Sequence, residues 1–105
     1  MKELKVGIWD RIMLTNILLG GSSDAEGLRK TFKILDAGIE IGEKEAKEIK
    51  LREDKGLVVW DDKKVFIKLV KLEDAEFDYL REVLNNKTDW PKDRRVVELL
   101  DKVNT

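Results

Sequence analysis

Leu57-Val58-Val59-Trp60 and Val65-Phe66-Ile67-Lys68-Leu69-Val70 are the two runs that decide how this sequence is read. Both are dense in the branched and aromatic residues that suit a pleated surface. With Leu51 ahead of them, they are separated by Glu53-Asp54-Lys55-Gly56 and by Asp61-Asp62-Lys63-Lys64, both of turn composition. Strand-like runs joined by short turns predict a three-stranded antiparallel meander. Lys68, between Ile67 and Leu69, predicts either a sheet with one wet face or an edge strand guarded by its charge.

On the N-terminal side the period lengthens from two to nearly four. Residues 8–19 read as a helix whose apolar positions (Ile8, Ile12, Met13, Leu14, Ile17, Leu19) cover more than half its circumference. That is wider than a surface helix needs, so the helix is either central to the core or meets another subunit. Gly20-Gly21 ends it. Ser23 with Glu26 has capping-box spacing and opens a second helix. Its Ala25, Leu28, Phe32, Leu35 and Ile39 share one face, and Gly38 is its stop. A short helical turn over Glu43–Glu48 follows Gly42, with Ala46 and Ile49 directed inward.

On the C-terminal side Glu73–Asn86 reads as a helix with Phe77, Leu80, Val83 and Leu84 on its apolar face. Thr88 or Asp89 is placed to cap the last helix, and Pro91 to occupy its first turn. Val96, Leu99, Leu100 and Val103 then form an i, i+3, i+4, i+7 stripe. The expected order is two N-terminal helices, the meander and two C-terminal helices, an α+β architecture over residues 1–105 as one domain.

Composition narrows the chemistry. Cys and His are both absent, which removes disulfides, thiolate zinc sites, cysteine nucleophiles and the commonest general base. The 21 basic and 22 acidic residues are interspersed, so no overall charge draws the chain to nucleic acid or to an anionic membrane. No run approaches the roughly 18 apolar residues of a membrane span, and residues 1–6 lack the apolar stretch of a signal peptide. The expectation is a cytoplasmic protein with no membrane partner.

Asp10-Arg11-Ile12-Met13-Leu14-Thr15-Asn16-Ile17-Leu18 resembles the opening acidic-Arg-aliphatic-Leu-x-Asn-Ile-Leu motif of a family of short, uncharacterised tailed-bacteriophage proteins. Glu43, Glu45, Lys47 and Glu48 fall where that family has an acidic helical turn, and Trp60 falls at its strand Trp. The resemblance spans roughly residues 4–60. The chain departs from the pattern at Leu19-Gly20-Gly21-Ser22-Ser23, where the family typically has a Pro. The resemblance implies a phage accessory protein of the same fold, acting in the host cytoplasm. It implies no activity and carries over no functional residues.

Four groups of residues could carry function, each beside a structural reading. Gly20-Gly21-Ser22-Ser23-Asp24 could cradle a phosphate at a helix start, but no Lys follows, and a C-cap running into an N-cap explains it. Trp90, Arg94 and Arg95 could stack on a base and grip a phosphate; a Trp stapled to the last helix explains them equally. Asp61-Asp62, with Glu53 and Asp54, could hold a divalent cation, or could be plain turn residues. Trp9 beside Ile8, Ile12 and Met13 could anchor an interface.

With only carboxylates, Lys, Tyr79 and hydroxyls left, no catalytic set has recognisable spacing, and no enzyme, cofactor or metal is expected. The first expectation is a binding protein, homo-oligomeric through the first helix, that engages a host or phage protein, including a host defence component. The second is a small oligomer that sequesters a nucleotide second messenger between subunits, with Arg11, Trp90, Arg94 and Arg95 converging on it.

Overall fold

The computed structural model describes residues 1–20, 23–61 and 67–104. The elements run β1 (Lys2–Val6), α1 (Ile8–Leu19), α2 (Ala25–Ile34), α3 (Glu43–Glu48), β2 (Arg52–Asp54), β3 (Leu57–Val59), β4 (Lys68–Leu72), α4 (Asp74–Asn86) and α5 (Arg94–Asn104). Among the described residues this is an α+β fold with five helices and two separate two-stranded antiparallel sheets.

The expected meander is therefore corrected. β2 and β3 form a hairpin of their own, joined by Lys55-Gly56 with φ of 52° and 80°. Two successive positive φ values are those of the tight turn whose twist matches a hairpin. β4 pairs instead with β1, in the register Leu4↔Val70, Lys5↔Leu69 and Glu3↔Lys71. The six N-terminal residues, which carry no element in the sequence reading, supply the missing partner. The Val65-Phe66 part of the expected third strand lies outside the described residues.

The β1–β4 sheet does have one wet face, and Leu69 rather than Lys68 sits on it. Val70 and Leu72 point into the core, so strand alternation sends Leu69 and Lys71 outward, opposite Lys5 and Glu3. Under the sheet, Leu14 and Leu18 of α1 join Leu80 and Leu84 of α4 and Leu99 and Val103 of α5 in a single core. Each such side chain contributes about 1.5–3 kcal/mol through its removal from water.

α2 departs most from its pattern. The buried positions are Gly27, Thr31 and Ile34, while Leu28 and Phe32, expected inside, are 52% and 47% exposed. The reason is contact with α4: the Thr31 hydroxyl lies 3.4 Å from the Tyr79 hydroxyl, and Tyr79 also crowds Gly27. Small residues let the two helices approach, and they displace the leucine face. The helix is capped by Asp24, whose carboxylate accepts the Gly27 N–H at 2.8 Å, one residue beyond the expected Ser23.

At its end α2 loosens into a π-type turn over Leu35–Ile39, closed by a Glu40 N–H to Leu35 carbonyl bond of 3.2 Å. This added residue brings both Leu35 and Ile39 into the core. Gly38 supports it with φ 134°, a conformation that side chains rarely adopt. α3 presents no buried residue along its length, but Ile49, just past it, is buried and Ala46 half-buried.

α5 begins at Arg94, later than expected. Asp93 caps it by accepting the Arg95 N–H at 2.9 Å, and Pro91 lies ahead of the helix rather than in its first turn. Asp10 fixes the opposite end of this packing. Its carboxylate takes the Gly7 N–H at 3.0 Å and the Lys102 ammonium at 2.8 Å, tying the start of α1 to α5.

Candidate protein-interaction surface

An open groove of about 670 Å³ runs between α1 and α4. Met13 and Ile17 form one wall, Val83 the other, and Pro91 closes one end; Asn16, Asn86 and Lys87 edge it. Beyond Pro91 lies a second hollow of about 420 Å³, lined by Trp90, Val96, Val97 and Leu100, with Lys92 and Arg94 at its margin. Trp90-Pro91 thus forms a ridge between two apolar depressions. Val97, at 58% exposed, stands on α5 outside the core stripe.

The residues expected at an α1 interface do not form one patch. Ile8 is buried in the molecule's own interior. Trp9 turns to α5, where the Arg95 guanidinium lies 4.6 Å from its ring centroid. Ile12 faces a small hollow formed with Glu40, Ile41 and Leu51, whereas Met13 faces the groove. Of the sequence's two readings of this wide apolar helix, the central one accounts for Ile8, Leu14 and Leu18.

The four cationic and aromatic ligand candidates are likewise dispersed. Arg11 is 1% exposed and serves the fold. Its guanidinium donates to the carbonyls of Ile39 at 3.2 Å and Glu40 at 3.1 Å, and to both carboxylate oxygens of Glu45. That hydrogen-bonded ion pair holds the Glu45 carboxyl below its ordinary range, with Lys68 adding a smaller pull. Arg95 is held by Asp93 through a 2.7 Å ion pair, which lowers the Asp93 carboxyl and raises the Arg95 guanidinium. Trp90 carries the Lys87 ammonium 5.3 Å from its ring centroid, and Lys87 in turn binds Asp89 at 2.7 Å. Trp90 and Arg94 share a hollow, which neither Arg11 nor Arg95 lines.

The helix-junction loop is described only in part, since Gly21 and Ser22 lie outside the described residues; its Asp24 is committed to the α2 cap. Asp62 also lies outside them. Asp61 donates its N–H to the Ile49 carbonyl at 2.7 Å, and Glu53 and Asp54 are exposed on the β2 hairpin strand. Among the described residues no three carboxylates gather where they could hold a metal ion. No described helix is long and apolar enough to cross a membrane.

The sequence placed Met13 in a candidate interface but did not reveal Ile17, Val83 and Pro91 as its companions in the groove, nor Val97 in the second hollow. Val97 carried a usable signal, being an apolar residue off the Val96-Leu99-Leu100-Val103 stripe. Val83 carried none, because it sat on the stripe assigned to the core. No family model, no curated protein and no solved structure matches this chain.

Proposed function

We propose that this chain is a non-enzymatic accessory protein of the phage kind its first-helix motif resembles, working by docking another protein onto the Trp90-Pro91 ridge. The observation that carries this reading is the pair of apolar depressions flanking the ridge, open to solvent and built from three helices. Paired hollows of this kind accept the anchors of an amphipathic helix. Lys92 and Arg94 are exposed beside the second hollow and make no ion pair among the described residues. A segment with apolar anchors and an acidic flank fits that surface best.

Site-specific photo-crosslinking in a bacterial lysate tests the reading. A crosslinker at Val97 should capture a discrete partner, and one at Lys55, in the β2–β3 turn, should not. Loss of the adduct in a folded Met13→Glu variant places the partner in the groove. Equal capture at both positions, or capture indifferent to Met13→Glu, refutes the reading.

The nucleotide-sequestering alternative rests on the hollow shared by Trp90 and Arg94, with Lys92 beside it. Stacking and a cationic rim suit an aromatic anion. Native mass spectrometry of freshly purified protein, followed by denaturation, separates the two readings by whether a nucleotide mass is released.

A further inference from the structure

β1 is an edge strand: β4 pairs with one side of it, and among the described residues no strand covers the other. Such an edge offers a row of N–H and C=O groups that template the addition of another strand. What it accepts is decided by the sequence Lys2-Glu3-Leu4-Lys5-Val6. Leu4 and Val6 face the core at 2% and 0% exposure, while Glu3 and Lys5 stand exposed on the outer face.

In an antiparallel pair, residues directly opposite each other point to the same face and interact there. A second copy of β1 can be added about a two-fold axis at only a few registers. An axis at Glu3 sets Glu3 against itself, and an axis at Lys5 sets Lys5 against itself. Both place like charges in contact. An axis between residues sets the charged outer face of one copy beside the leucine-bearing inner face of the other. An axis at Leu4 sets Glu3 opposite the second copy's Lys5 and Lys5 opposite the second copy's Glu3, so one symmetry operation creates two ion pairs. It also aligns the two Leu4 residues on the core side. The β4 edge lacks this self-complementarity, since the same operation at Val70 opposes Leu69 to Lys71.

We propose that two copies of this chain associate by antiparallel pairing of β1 with β1 centred on Leu4, forming one continuous sheet with two strands from each copy. The interface is isologous, as a two-fold dimer requires. It uses the backbone edge of β1 rather than the apolar face of α1, where the sequence placed self-association, and does not depend on the docking groove.

Charge exchange tests the register. Glu3→Lys and Lys5→Glu are exposed substitutions. Glu3→Lys also faces Lys71 across the β1–β4 pair, a small local cost, and far-UV circular dichroism checks that both variants keep the monomer fold. By sedimentation velocity over a concentration series, the wild-type chain should be a dimer. Each variant alone now opposes like charges twice and should dimerise at least roughly tenfold more weakly. An equimolar mixture of the two variants again opposes Lys to Glu at both sites and should recover a heterodimer, while Val97→Asp leaves dimerisation unchanged. A wild-type monomer up to millimolar concentration, a dimer indifferent to both charge variants, or a mixture without recovery each overturns the proposal.

Discussion

Replacing Arg11 with Met removes the guanidinium and its bonds to Ile39, Glu40 and Glu45 while keeping an unbranched side chain of similar reach. The consequences differ at the three sites. The Ile39 carbonyl belongs to a buried residue and loses its donor, which costs about 1–3 kcal/mol. Glu40 is exposed and the Glu45 side chain is about a third exposed, so water replaces the guanidinium there at smaller cost. Relief from burying a charge offsets part of the loss. The net expectation is a destabilisation of about 2–4 kcal/mol, a large share of the roughly 5–15 kcal/mol available to a domain of this size. The melting temperature should fall by about 10–25 °C.

Glu45→Gln keeps an acceptor but leaves the arginine charge without its anion. Its cost should be about 1–2 kcal/mol, discounted because solvent reaches the site. Urea unfolding followed by Trp fluorescence and circular dichroism measures both, and the double variant gives their coupling. The reasoning fails if Arg11→Met is neutral, or if it is no worse than Glu45→Gln. Acid adds an independent check. The Glu45 carboxyl titrates below its ordinary value of 4.5 in the folded protein, so its contribution is complete above about pH 4.5. It is lost as the pH falls through the lowered folded value. The stability gap between wild type and Glu45→Gln should therefore close on acidification.

Gly38→Ala should destabilise by about 1–3 kcal/mol, because it forces a side chain into φ 134° with its Cβ 3.0 Å from Lys68 Cε. Gly42→Ala, at φ −77° with nothing within 4 Å, should cost under about 1 kcal/mol in the same thermal melt. Leu28→Glu should change the unfolding free energy from urea titration by no more than about 0.5 kcal/mol, since Leu28 stands half exposed on α2. A loss of about 2–5 kcal/mol there would mean that the leucine face is buried after all.

Helices α1, α4 and α5 were legible because each advertises itself locally. Gly20 and Asn86 mark helix ends, and Leu80, Leu84, Leu99 and Val103 recur at the helical period. The β2–β3 hairpin was local only at its turn: Lys55-Gly56 supplies both positive φ values, but Glu53 and Asp54, read as turn residues, belong to β2. The site was harder to read. The groove joins Met13 of α1 to Val83 of α4 across a long stretch of sequence, and each residue alone is an ordinary apolar position. Arg11 misled in the opposite sense. As sequence it is an available cation, and only the approach of the Ile39 and Glu40 carbonyls and of Glu45 makes it structural.

By itself, then, the sequence determined the α+β class, the three long helices and the position of the Lys55-Gly56 turn, because periodicity and turn chemistry act between near neighbours. The tertiary structure alone decided that β4 pairs with β1 and that Gly27 and Thr31 displace Leu28 and Phe32 from the core. It alone withdrew Arg11 from the surface and gathered two apolar hollows around Trp90-Pro91. These outcomes depend on which distant segments meet. A short strand offers identical backbone groups to any partner, so the choice falls to the packing of the whole chain.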